Sequence, residues 1–190
     1  GTEARLERGV LRATRTRSLG AIPLSSTPAK ALDPKEATAL VAQHLASRGL
    51  GELGWGKEAA SLRERLRALH EALGDPWPDV SDEALAGSAE QWLAPWGRRL
   101  ASGSPLSQVS MLEVLRAMLP WPQAARLDEL APEKLPIPSG GTRPIDWSGA
   151  HPVLTLRVQQ AFGWTDTPRL LDGRVPLVLH LTDPAGRPAA

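Results

Sequence analysis

Leu127-Asp128-Glu129-Leu130-Ala131-Pro132-Glu133-Lys134-Leu135-Pro136-Ile137-Pro138-Ser139-Gly140-Gly141-Thr142-Arg143 is where this chain of 190 residues changes its hydrophobic period. Before it, apolar residues recur every three or four positions, the spacing of helices with one buried face. After Pro132 they fall into short runs bounded by Gly, Pro, Ser and Asp breakers, the pattern of strands. Within the stretch, Ser139-Gly140-Gly141 supplies residues that accept positive φ, so it reads as the turn of a hairpin.

Upstream, Gln123 to Leu130 reads as a short helix. A longer and more apolar one precedes it, started by Ser104-Pro105 and running to Leu119. Leu106, Val109, Leu112, Val114, Leu115, Met118 and Leu119 are too many for a surface helix, so this one is expected at the centre. Pro120-Trp121-Pro122 separates the two. Ser81 to Leu85 and Ser88 to Leu93 read as short helices with serine caps, and Ser88 with Gln91 has capping-box spacing. Asp75-Pro76-Trp77-Pro78 breaks the chain before them. The helix from Lys57 to Leu73 carries the stripe Ala59, Leu62, Leu66, Leu69 and Leu73, with Gly74 as its stop. Asp33-Pro34-Lys35-Glu36 starts a first helix, which Gly49 ends. Arg5 to Ser26 reads as a β-hairpin turning through Thr14 to Ser18.

Downstream, Lys134 to Pro138, Thr142 to Trp147, Val153 to Val158 and Val175 to Thr182 read as strands. Val158 to Trp164 adds a helical turn, and Asp172-Gly173 a second β-turn. The fold class is therefore α+β. It comprises an N-terminal β-hairpin (1–30, completing an upstream domain), a central helical bundle (31–131), and a small antiparallel sheet or partial, OB-like barrel (132–190).

Bulk composition excludes several classes. With 0 Cys there is neither a disulfide framework nor a thiolate metal site. A formal net charge of +1 means that any basic surface must be a local patch. No apolar run approaches the roughly 18 residues of a membrane span, so no membrane partner is expected.

No catalytic constellation stands out. Gly54-Trp55-Gly56-Lys57 lacks the spacing and the hydroxyl of a phosphate loop, whose backbone N–H groups and Lys hold nucleotide phosphates. Asp82-Glu83-Ala84-Leu85 imitates a DEAH box but follows a serine cap rather than an apolar strand. It therefore reads as acidic residues in a helix's first turn, and Asp128-Glu129 reads the same way. His44, His70, His151 and His180 share no metal-ligand spacing. Neither a cofactor site nor a metal site is expected.

What remains is basic. Arg12, Arg15 and Arg17 in the N-terminal hairpin, Arg63 and Arg67 on the second helix, and Arg143 after the Ser139-Gly140-Gly141 turn are candidates for phosphate contact. The plainer reading of each is a solvated surface residue or an internal ion pair. Trp55 and Trp147 are readable as base-stacking platforms or as core.

Several pieces carry a family resemblance through their shared order. They include Leu19-Gly20-Ala21-Ile22-Pro23-Leu24-Ser25, Trp77 to Asp82, Trp92-Leu93-Ala94-Pro95-Trp96, Leu127 to Pro132 and Pro138-Ser139-Gly140. Ile145-Asp146-Trp147, Pro152-Val153-Leu154, Gln159 to Gly163, Thr167-Pro168-Arg169 and Gly173 to Leu177 continue the order. From about Arg5 to Pro188 the chain resembles the C-terminal region of HrpB-type ATP-dependent helicases, bacterial relatives of the DEAH-box RNA helicases. The family's motor domains, and the aromatic-rich tail it carries after the position of Pro188, have no counterpart here.

The resemblance implies a non-catalytic accessory region. It would pack in cis on upstream motor domains, which bind ATP and Mg, and would contact single-stranded RNA in the cytoplasm. The alternative is a module that docks the helicase to a protein partner, through an apolar patch between Trp92 and Trp121.

Overall fold

The structure, a computed structural model, describes residues 2–19, 22–28 and 32–188, with side chains over residues 4–12 and 32–188. Three strands open the chain: β1 (Thr2–Glu7), β2 (Val10–Leu19) and β3 (Ile22–Pro28). Helices follow: α1 (Pro34–Arg48), α2 (Lys57–Leu73), α3 (Asp82–Gly87), α4 (Ala89–Leu93), α5 (Gly97–Ala101), α6 (Met111–Ala117) and α7 (Trp121–Leu130). Short strands close it: β4 (Lys134–Pro136), β5 (Thr142–Pro144), β6 (Val153–Arg157), β7 (Arg169–Leu170), β8 (Val175–Pro176) and β9 (Val178–Thr182). The α+β class stands.

By contact the chain groups into two compact units, Gly1–Ala60 with Val80–Leu115 and Ser61–Asp79 with Arg116–Ala190. This grouping cuts across the three consecutive segments read along the sequence.

In the first unit the N-terminal strands form an antiparallel sheet of order β1-β2-β3, rather than one hairpin. The first turn is at Arg8-Gly9, where φ is 50° and 74°, the positive pair that a two-residue hairpin turn demands. Thr14 to Ser18, expected as the turn, lies inside β2. An arginine in the left-handed region is uncommon, so Arg8 gave no turn signal, while the polar run at 14–18 imitated one.

Asp33 caps α1, its carboxylate accepting from the Lys35 N–H at 3.2 Å, and Pro34 takes the first helical turn. Ala37, Val41 and Leu45 form its buried face, against α3, α4 and α5. Close approach of α5 needs Gly97, because a Cβ there would lie 3.0 Å from Pro34 Cβ and 3.1 Å from its carbonyl oxygen.

The expected helix from Ser104 to Leu119 is broken. Leu106–Gln108 is a 3-10 turn, Val109 is extended (φ −74°, ψ 103°), and α6 begins at Met111. The cause is tertiary. Gly54 donates its N–H to the Val109 carbonyl (2.9 Å), and Met111 donates to the Gly54 carbonyl (3.2 Å), replacing helical hydrogen bonds with long-range ones. Of the expected buried residues, Leu106, Val109, Val114 and Leu115 are at most 3% exposed, whereas Leu112, Met118 and Leu119 are only half-buried; Met111, outside the expected set, is fully buried. Ser88 does not cap α4; its hydroxyl instead donates to the Ala84 carbonyl at 2.9 Å and closes α3.

In the second unit α2 buries Leu62, Leu66 and Leu69, as its stripe predicts. Helix α7 starts at Trp121 rather than Gln123, because Pro122 falls in its first turn, where a missing N–H costs nothing. The β4–β5 hairpin turns at Ser139-Gly140-Gly141 as expected, with φ of 101° and 76° at the two glycines.

Val175 to Thr182 is two strands, not one. The Leu177 N–H donates to the Pro168 carbonyl (3.0 Å), so β8 pairs with β7 while β9 pairs with β6. The β6–β9 pair is parallel. The C-terminal strands thus form separate two-stranded pairs, with no closed barrel among the described residues.

Candidate functional site

The candidate arginines fall into different environments. Arg12, on β2, is exposed, with Nε 3.8 Å from the exposed Glu7 carboxylate. Such a pair is worth about 0–1 kcal/mol, which leaves the guanidinium available. The side chains of Arg15 and Arg17 lie outside the described residues. Arg63 is half-buried on α2 and has partners of its own. Arg143 is exposed on β5, opposite Leu135.

Arg67 is engaged internally. One Nη donates to the Trp147 and Gly149 carbonyls at 2.7 and 2.8 Å, and the other to Glu71 at 3.0 Å. It clamps the loop after Trp147 to α2. Of the six, Arg12, Arg15 and Arg17 share strand β2, and Arg63 and Arg67 share helix α2, four residues apart.

The arginine that sequence reading passed over is Arg65, which is 3% exposed. Its Nε donates to the Ala131 carbonyl (2.7 Å), one Nη to Asp128 (2.6 Å) and the other to Glu133 (3.2 Å). It therefore holds α2 to the stretch on which the sequence pivots. The signal was present, for Arg65 follows Leu62 by three residues and falls within the apolar stripe of α2.

The aromatic candidates also divide. Trp147 is 3% exposed and gives its indole N–H to the Pro132 carbonyl at 2.9 Å, so it belongs to the core. Trp55 is half-buried, with its indole N–H on the Leu50 carbonyl at 2.9 Å. Asp82 and Glu83 occupy the first turn of α3, whose cap Ser81 accepts from the Ala84 N–H at 3.2 Å.

His44 meets Glu52 at 2.6 Å, and His70 meets the Trp77 carbonyl at 2.8 Å. Among the described residues no three His, Asp or Glu side chains converge as metal ligands would. The Asp146 carboxyl is held below its ordinary range, first by the Ser148 hydroxyl and then by the Ser148 N–H, which donate at 2.6 and 2.9 Å.

Two clefts accompany these residues. In the second unit, Arg67, Glu71, Trp147, His151, Arg174 and Pro176 line a cleft of about 220 Å³, below the roughly 300–1,000 Å³ of ordinary ligand pockets. In the first unit, a larger cleft of about 640 Å³ lies between the Leu53–Ala59 and Ser107–Leu112 segments. Trp55, Lys57, Glu58, Ser107, Gln108 and Ser110 are in its lining. No helix among the described residues is long and apolar enough to cross a membrane.

Comparison with known proteins gives a consistent answer. A family model described as "ATP-dependent helicase C-terminal" matches residues 92–190. The ATP-dependent RNA helicase HrpB of Escherichia coli (strain K12) is 33% identical over 182 residues, which cover 95% of this chain and 22% of that protein. Crystal structures of the E. coli DExH-box NTPase HrpB and of the Escherichia coli DEAH/RHA helicase HrpB match at TM-scores of 0.72 and 0.73. Both are 30% identical to this chain and match all of it, over 24% and 25% of their own lengths. The chain thus spans about a quarter of the relatives it matches.

Proposed function

The chain belongs to the HrpB-type ATP-dependent helicase C-terminal family, and from that premise we propose that it is the non-catalytic accessory region of an ATP-dependent RNA helicase. In this reading it packs in cis on motor domains, which bind ATP and Mg, and it contacts single-stranded RNA on their path. The observation that carries the reading is the family match over residues 92–190.

Exposed cations support the RNA contact. Arg12 and Arg143 are solvent-facing, and phosphate contacts from such residues bind without sequence preference. A motor that tracks any sequence needs that property.

The test is binding of the chain to labelled single-stranded RNA at low and moderate salt. Binding is expected to weaken steeply with salt, and further on joint replacement of Arg12, Arg15 and Arg17 by Ala. The pure chain is expected to show no ATP turnover, and measurable turnover would refute the non-catalytic assignment.

A second reading, docking to a protein partner, has one observation in its favour. Trp121 is 80% exposed at the start of α7, between Pro120 and Pro122. The broader patch expected from Trp92 onward does not support it, since Trp92 and Trp96 are each 8% exposed. Absence of RNA binding even at low salt would transfer the assignment to this reading.

A further inference from the structure

Two segments of the second unit are braced by hydrogen bonds, and both line the 220 Å³ cleft. The first is the turn between β7 and β8. Leu171, Asp172 and Gly173 all lie at positive φ, at 55°, 60° and 77°. Residues with a side chain enter that region as single positions rather than in runs, and such strain persists only where surrounding contacts over-determine it. Here they do. The Leu171 N–H donates to the Leu130 carbonyl (3.0 Å), the Arg174 N–H to the Leu171 carbonyl (3.2 Å), and the Arg169 Nε to the Gly173 carbonyl (2.7 Å). Leu171 is 2% exposed, so its side chain anchors the turn from inside. The turn brings Arg174 to the cleft.

The second segment is the loop from Trp147 to Pro152. Asp146 and Val153 exchange backbone hydrogen bonds at its base (2.8 and 2.9 Å), and Arg67 grips the Trp147 and Gly149 carbonyls. This loop brings His151 to the same cleft. Arg174 and His151 are both exposed, and among the described residues no carboxylate lies within ion-pair distance of either. Glu71 lines the cleft with the opposite charge but is engaged by Arg67 at 3.0 Å. Ala68, Ala72 and Pro176 give the cleft an apolar wall. Its small volume suits one anionic group with a compact neighbour rather than a whole nucleotide cofactor.

We propose that this cleft seats one backbone phosphate of single-stranded RNA, held by Arg174 and His151, with the attached ribose against the apolar wall. The assignment rests on the RNA-contact reading above and locates a contact in residues other than the six candidate arginines. A guanidinium fork matches two phosphate oxygens, and an imidazole offers an N–H whether neutral or protonated. Both side chains stand on braced backbone, so no loop has to order on binding. Contact through phosphate and ribose reads no base, as tracking any sequence requires.

The test uses the full chain and a labelled oligouridine of about 12 nucleotides, within the usual span of single-strand sites, at about 50 and about 200 mM salt. Arg174→Gln is expected to weaken binding about tenfold or more, the worth of one charge-assisted hydrogen bond. It is also expected to reduce the log–log salt slope by about 0.7, the value for one phosphate on a single strand. Arg174→Lys, which keeps the charge, is expected to retain the parent slope, and it serves as the check should Arg174→Gln fail to fold. His151→Ala is expected to weaken binding about 2- to 10-fold, the worth of a neutral hydrogen bond. Parent affinity and slope in folded Arg174→Gln, or equal losses of slope in the Gln and Lys variants, would overturn the cleft assignment while leaving the RNA-contact reading intact. A parent chain that fails to bind at either salt would overturn both.

Discussion

Replacing Arg65 by Ala tests whether the core of the second unit depends on a buried cation. The Arg65 side chain is 4% exposed, whereas those of its partners Asp128 and Glu133 are 89% and 63% exposed. Water can re-solvate both carboxylates, so each ion pair is worth only about 0–1 kcal/mol. The Ala131 carbonyl is different. Ala131 is 0% exposed, and its oxygen would lose the Nε donor, at a cost of about 1–3 kcal/mol. The lost methylenes of the buried stem add about 0.8 kcal/mol each. Arg65→Ala is therefore expected to destabilise the chain by about 3–5 kcal/mol, the orphaned carbonyl and the lost stem taken together. Asp128→Asn and Glu133→Gln should each cost less than about 1 kcal/mol. Urea unfolding followed in parallel by circular dichroism and tryptophan fluorescence measures this, with both probes needed because two units can melt separately. An Arg65→Ala variant no less stable than Asp128→Asn would refute the account, since it would mean that the Ala131 carbonyl finds water.

Gly54→Ala should cost about 1–3 kcal/mol or more, because its Cβ meets two backbone oxygens at 2.5 and 2.7 Å. Gly51→Ala, with nothing within 4 Å, should stay within about 0.5 kcal/mol in the same urea titrations. Asp146 titrates below its ordinary range in the folded chain, so the folded state takes up that proton less readily than the unfolded chain does. Its contribution is complete at neutral pH and is lost as pH falls through the folded-state value. The stability advantage over Ser148→Ala is accordingly expected to hold above about pH 5 and to shrink below about pH 4, as pH-dependent urea midpoints would report. Trp121→Ser should leave thermal stability within about 0.5 kcal/mol, because the indole is 80% exposed; a larger loss would show that the ring packs in solution.

The extent to which the sequence was legible differs from one element to the next. Helix α2 was readable in its extent, since its apolar stripe and its glycine stop depend on local spacing alone. The same holds for the Asp33 cap and the Ser139-Gly140-Gly141 turn. The break at Val109 was not readable. It comes from Gly54, more than fifty residues away, and no local propensity records that partner. The Arg8-Gly9 turn was missed because arginine is an unlikely residue at positive φ.

The site residues divide in the same way. Arg12 and Arg143 could be read as exposed cations, because hairpin edges and turns are solvated by geometry. Arg67 looks identical to them in the sequence, and Arg65 differs only in falling within the apolar stripe of α2. Only packing turned one into a loop clamp and buried the other against Ala131. Trp55 and Trp147 were likewise indistinguishable until the fold assigned one to a cleft and the other to the core. By itself, then, the sequence determined the α+β class, most element positions and the ordered set of pieces that marks the family. Hydrophobic period, caps and turns act over a few residues and can be read along the chain. Tertiary structure alone decided strand pairing, the broken helix and the state of each cation. Those depend on which distant carbonyl or carboxylate comes within hydrogen-bonding reach once the chain has folded.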